Sequence, residues 1–577
     1  MASWAAGVSR ASCVTLCVCV VAACSAASAG GASSGVDAGP ATDAGGLPGA
    51  VAPTWAIAAR GVSVTDAATP TARPIDVQVV PDAAAPDAAP RCVPEGGIDE
   101  PDDDFQDTNC DGIDGDVSAA VFVAPSGSDT AGGSMTAPVQ TVKHAVELAL
   151  AAGKSVYVCD GQYEEAVELA TAGVSLYGGY DCTRGWQRER DRATFAPRSG
   201  VPFTARNVTA PLVVDRLAFR APDALGSGGS SVAASIVSAK DVRFRNVLFA
   251  AGNATDGASG AVLDDSSTAN FWPTNFAANA VPLADATMCA KARGGTPLMG
   301  GADCGKVSLG ATGPSVSCAD GTEVQGGPGG NGDNWALAAP QTPGEDGLPS
   351  SGVSRNGSIG ADGDPGEAAA SGFGDLNDGT YVGSNDGKNG GLGRAGQSGR
   401  GGDGGYTGTS SSTDNIVHFA PGGGGGQGGY GGCGGKGGNR GRAGGASLGL
   451  IVVASAVSIE HSTIQTGRGG NGGGGSDGTS GLPGGHGGLG VKSPNLVDQY
   501  NGQDGGNGGA GGRGGPGGPG GGGPSMGIVW TGTAPVTNAI TYALGTPGRG
   551  GTSSALTARD GFGGENVSLE TIRSAGR

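Results

Sequence analysis

The sequence predicts an all-β chain: a parallel β-helical solenoid with a helix near its start, joined to a glycine-rich region. That region is either a polyglycine-II-like bundle or disordered. Three observations carry this expectation. Groups of apolar residues of strand length recur at constant offsets. Glycine supplies 120 of the 577 residues and aromatics only 5%, so a conventional core cannot run the whole length. Within the glycine-rich part, Gly recurs at every third position in four tracts, 387–408, 426–444, 469–490 and 502–523.

The chain begins as an address. Arg10 precedes a short apolar stretch, Val14 to Ala23, too short to span a bilayer as a helix. It ends in Val21-Ala22-Ala23-Cys24, which resembles a bacterial lipoprotein signal. That resemblance implies lipidation of Cys24 and, with Ser25 rather than Asp next, an outer-membrane lipoprotein on an extracytoplasmic face. The alternative is an ordinary secretory signal cut near Ala23 or Ala29. Residues 25–90 are Ala, Gly, Pro, Asp, Ser and Thr without apolar periodicity, a disordered tether about 45 Å in mean reach.

Residues 91–118 hold an Asp-rich motif. Asp107, Asn109 and Asp111 alternate ahead of Gly112, as in the first half of an EF-hand loop. Position twelve is Ser118 rather than Glu, leaving Asp114 and Asp116 as substitutes. The stretch resembles the Asp-rich metal-binding motifs of secreted myxobacterial-type proteins, and the expected ion is calcium. The bland alternative is a solvated acidic hinge. Eight cysteines follow Cys24, and an even number in an exported chain reads as disulfides. Cys92 with Cys110 and Cys159 with Cys182 are the local pairs. Cys289, Cys304, Cys318 and Cys433 allow three connectivities, and Cys433, alone in a glycine tract, is also open to staying free.

The solenoid is placed at 119–320. Val121 to Val123 is strand-like. Val142, Ala145, Val146 and Ala149 lie at helical spacing after Pro138, and Gly153 ends the helix. Val156/Val158, Val167/Leu169 and Val174/Leu176 then alternate as short strands. Leu212, Val214, Leu217 and Phe219 repeat at Val242, Phe244, Val247 and Phe249, an offset of 30 (212 to 242). Val457, Ile459 and Ile464 repeat again at an offset of 215 (242 to 457), making Asn246 and His461 equivalent. Rung 446–466 therefore interrupts the glycine-rich region 321–526, and 527–577 holds a weaker rung and a tail. The ordered motifs "VFVAPSGSD", "VYV" and "VSLYGGYD" resemble the domain of unknown function that begins bacterial right-handed β-helix (pectin-lyase-like) proteins. The resemblance implies right-handedness and a helix that covers the open end.

Composition excludes some functions. A net charge of −19 argues against a nucleic-acid partner. Asp264-Asp265 and Gly485-His486-Gly487 are echoes of pectin-lyase-like polysaccharide lyases and hydrolases. They lack the flanking motifs, and adjacent carboxylates on an extended chain point apart. The expectation is a non-enzymatic, lipid-anchored surface protein. Its triplet slots would offer Arg394, Tyr406, Tyr430, Lys436 and Arg513 to polysaccharide or a cell-surface matrix; the alternative is a polysaccharide lyase or glycoside hydrolase. For the glycine tracts, the choice between bundle and flexible loops turns on entropy, about 1–2 kcal/mol per fixed residue, against bonds between neighbouring tracts.

Overall fold

The structure, a computed structural model, describes residues 92–575 apart from 95, 171–172, 265–288, 293–314, 319–320, 332–340, 344, 346–354, 384, 407, 412–415, 421–422 and 493–500. Cys24, the tether, Asp265 and Cys304 lie outside the described residues. What is described is all-β, built mainly of parallel sheets, with few helices.

Three sheets are visited in turn. The first stacks Ala120–Val123, Ser155–Cys159, Leu176–Asp181, Leu212–Asp215, Val242–Arg245, Val457–Glu460 and Val536–Asn538 in that order. The second runs from Gln162–Tyr163 through Ala193–Phe195, Leu217–Arg220, Leu248–Ala250 and Thr463–Gln465 to Thr541–Ala543. The third runs from Val167–Ala170 through Phe203–Arg206, Ser231–Val237, Ser447–Val453 and Ser525–Thr531 to Gly563–Ser568. From Leu212 onward each circuit contributes one strand to each sheet, in the same cyclic order. The registers coincide with the sequence offsets: Val242 faces Leu212 and Val457.

The circuits stack like on like. Tyr163, Phe195, Phe219, Phe249 and Ile464 occupy matched positions in the second sheet and are buried. The rings of Phe195 and Phe219 lie 5.6 Å apart and those of Phe219 and Phe249 6.0 Å apart, near-parallel in both pairs. The corner between first and second sheets is turned by one residue in the left-handed region: Arg216, Asn246, His461 and Ala539, with φ of 52°, 54°, 48° and 52°. Such a turn in a non-glycine residue is uncommon and persists where packing over-determines it.

Helix Val142–Ala152 starts at the Thr141 cap, whose side chain accepts from the His144 N–H, and stops at Gly153 with φ 64°. It buries Val142, Ala145, Val146 and Ala149 against the first strands of the first and third sheets. The outer face of the third sheet is covered too. Phe373 and Tyr381, from a hairpin of Asp375–Asn377 and Thr380–Val382, join Leu569 and Ile572 of helix Leu569–Ala575 over Leu448 and Met526. The sequence reading did not foresee either cover.

The glycine tracts leave from one corner. On the early circuits the second and third sheets are joined by the short links 196–202 and 221–230. On the later circuits the same link is 251–446, then 466–524, then 544–562. Every triplet tract is thus an insertion at one edge of the coil, and tracts from successive circuits lie side by side. Gly257 donates to Asn471 O and Gly472 to Arg549 O, continuing the stacking of the strands outward.

Candidate functional site

Two features carry chemistry: the Asp-rich segment and the glycine bundle. The first packs on the outer face of the first sheet, where Ile113 joins Phe122, Tyr157, Tyr177, Tyr180 and Trp186. The five expected calcium ligands have different partners there. Asp107 accepts from the N–H groups of Asp111 and Gly112 at 3.0 and 2.9 Å. Asn109 accepts from Asp111 N–H, and Asp111 from Val117 N–H at 2.8 Å. Asp116 caps the short turn Val117–Ala119 through Ser118. Asp114 is turned inward and buried, 3.0 Å from Arg188 Nη1.

Arg188 is fully buried between two carboxylates. Its Nη2 lies 2.7 Å from Asp215, and its Nε donates to Gly178 O. Removing one member of such a set strands a buried charge, at a cost of about 3–5 kcal/mol. Burial pushes the Asp114 carboxyl up to about 6, against the pull of Arg188. Arg216 bonds Asp103 at 2.5 Å and stacks on Phe105, and Arg245 donates to Pro101 O. The acidic stretch is therefore an electrostatic strap, pinned to arginines 74 to 144 residues away. Among the described residues, no group of three or more His, Cys, Asp and Glu is arranged to hold a metal ion.

Disulfides join Cys92 to Cys110, Cys159 to Cys182 and Cys318 to Cys433. The last chooses among the three connectivities left open, and Cys433 is not free. It ties the hairpin of Val316–Ser317 and Glu323–Val324 to the bundle, beside Tyr430 and Leu482.

The bundle explains the glycines. Tract 502–523 is its axis, and its residues fall into three slots. In the first slot Gly505, Gly508, Gly511, Gly514, Gly517, Gly520 and Gly523 donate to carbonyls of the antiparallel tract 467–491. In the second, Gly506, Gly509, Gly512, Gly515 and Gly518 donate to tract 387–405, while their carbonyls accept from tract 423–446. In the third slot stand Asp504, Asn507, Ala510, Arg513, Pro516 and Pro519. The carbonyls from Asn507 to Pro519 in this slot accept from tract 355–369. An unbroken period of three means three residues per turn.

A Cβ on Gly511 would overlap the Cys433 carbonyl, and one on Gly512 the Ala361 carbonyl. No glycine of this tract has a positive φ, so close approach, not turn-making, demands glycine here. From Asp504 to Pro519 the third slot carries side chains, whereas at Gly522, its last position, a Cβ would overlap the Gly548 carbonyl. Two prolines fit there because no tract needs their missing N–H.

At the rim, short polar side chains replace absent tracts. Asn507 Oδ1 accepts Gly487 N–H, Asp504 accepts Gly490 N–H, Asn356 accepts Asn507 N–H and Asp362 accepts Arg513 N–H, at 2.7–3.0 Å. Asp256, Asn389 and Asp386 do the same for Asn471, Arg440 and Ala443. Orphan backbone donors are thereby satisfied. This role has a mark in the sequence, Asn or Asp directly before a Gly, but it shows only once tract neighbours are known.

Of the side chains expected on the surface, Arg394, Tyr406, Lys436 and Arg513 are exposed. Tyr430 is not: at 1% exposure it packs with Cys318, Val324, Cys433 and Leu482 and cannot stack on a ligand. The Gly485-His486-Gly487 motif lies inside a tract, with Gly485 donating to Tyr430 O. No protein-family model, curated protein or solved structure matches this chain.

Proposed function

We propose that this is a non-enzymatic, lipid-anchored outer-membrane protein, held through Cys24 and displayed on a flexible tether. In this reading the coil is a right-handed parallel β-helix, and the bundle is a polyglycine-II array that binds polysaccharide or cell-surface matrix. The observation that carries it is the bundle's slot pattern. Two slots build a rigid backbone lattice, and the third carries side chains from Asp504 to Pro519, one per turn about 9 Å apart, with Asp504, Asn507 and Arg513 exposed. A preorganised array of this kind loses little entropy on binding. Calcium, in the same reading, is held by Asp107, Asn109 and Asp111, whose side-chain oxygens meet only main-chain N–H groups and one another, whereas Asp114 is paired with Arg188 and Asp116 caps a turn; its contribution is to order the strap. Calorimetric titration of calcium into the EDTA-treated chain tests this, and no heat with no change in melting refutes it.

The test of the main reading is incubation of the purified chain with a polysaccharide panel, following both retention and products. Retention without product supports it. Release of reducing ends or unsaturated uronates, abolished by Asp264→Ala, establishes the lyase or hydrolase alternative instead.

A further inference from the structure

On one flank of the bundle, tracts 387–405 and 423–446 and the segment 258–261 enclose a cleft of about 430 Å³. Its chemistry is one-sided. The cations are Arg440 and Arg442, with side chains 44% and 59% exposed. They share one carboxylate, Asp386, at 3.7 and 3.0 Å, and the other Asp386 oxygen accepts Ala443 N–H at 2.8 Å. Two guanidinium groups against one acid leave one positive charge uncompensated in this cluster.

The acceptors nearby are already used. Asn389 Oδ1 takes Arg440 N–H at 3.0 Å, Ala261 O takes Asn439 Nδ2 at 2.9 Å, and Ala258 O takes Arg442 N–H at 2.8 Å. The charged donors left to meet a ligand are the two guanidinium groups. The back wall, Ala258 to Ala261, carries no side chain larger than serine and leaves room for a ring. The backbone of both arginines is held by the lattice, and both guanidinium groups pair with Asp386, which limits the side-chain freedom lost on binding.

Guanidinium forks match planar or tetrahedral oxyanions. We propose that this cleft binds a saccharide carrying an oxyanion, as sulfate or carboxylate. The proposal rests on the reading of the bundle as a glycan-binding surface and names its ligand class. The overall charge of −19 opposes a polyanion at long range, so recognition depends on this local cluster.

Three polymers with one backbone test it on the full chain: dextran, carboxymethyl dextran and dextran sulfate. The expected result is retention of one or both charged polymers over dextran. Arg440→Ala/Arg442→Ala should weaken that retention about tenfold or more with melting unchanged. Should the alanine pair unfold, Arg440→Gln/Arg442→Gln keeps side-chain length and must show the same loss. Charged-polymer binding that survives both variants overturns the site. Equal binding of neutral dextran, or binding confined to other neutral members of the panel, overturns the inference and leaves the broader reading standing. Retention of no polysaccharide at all overturns both. The ratio of the two charged polymers assigns sulfate or carboxylate.

Discussion

Replacing Gly512 by alanine adds one methyl group at the centre of the bundle, against the carbonyl of Ala361. The backbone there tolerates a side chain, so the change would otherwise stabilise by about 0.4–1 kcal/mol through the unfolded chain. Sterics oppose this. Tract 355–369 must shift, and the bonds at risk are Gly360 N–H to Ala510 O, Gly363 N–H to Arg513 O and Arg394 N–H to Ala361 O, each 2.8 Å. At about 1 kcal/mol net apiece they total about 3 kcal/mol. The expected balance is a loss of about 2–3 kcal/mol. Ala510→Ser, two residues away in the third slot, should stay within about 0.5 kcal/mol. A chain of this size need not unfold in one step, so the assay is amide-exchange protection across 355–369 and 502–523, with melting alongside. Equal protection in the two variants would refute the slot argument.

Three further outcomes are expected. Gly515→Pro removes a donor to Gly391 O and should lower protection in both tracts, whereas the neighbouring natural Pro516 is silent; mass-resolved exchange separates them. Asp114, with its folded pKa raised to about 6, keeps a proton that the unfolded chain releases near 4. Its contribution is therefore fully present below about 4 and is lost as pH rises through about 6, so Asp114→Asn should flatten the melting profile between those values. Cys433→Ser opens a 115-residue separation and should cost up to about 4–5 kcal/mol by the loop-entropy account, read as lost protection around Tyr430 and Leu482.

The coil was legible because its repeats are local and apolar. The offset from Leu212 to Val242 is a strand register, and the offset from Val242 to Val457 is another despite the insertion between them. The capping helix was legible from Pro138, its apolar spacing and Gly153. The strap was not, because Asp114 meets Arg188 across 74 residues and no local pattern links them. An alternation of Asp and Asn fits a calcium loop and an arginine-pinned strap equally well, and only the partners distinguish them. The burial of Tyr430 was hidden for a related reason. The period of three names the slots, but it does not say which slots face the rim and which face the Cys318–Cys433 hairpin. Nor could the sequence show that all tracts depart from one corner, since that depends on which sheet each flanking strand joins.

The three-slot rule gives each tract a phase, much as codons give a gene a reading frame. Removing one triplet from 502–523 returns the same slots to the same neighbours one turn along. Removing a single residue would swing Asn507 or Arg513 into a slot lined by carbonyls and disrupt the lattice from that point on. Changes in tract length are thus constrained to multiples of three, and must be matched in the adjoining tracts to keep their ends level. Within that constraint the distance between the coil and the far end of the bundle can be adjusted in steps of about 9 Å without altering a residue of the coil.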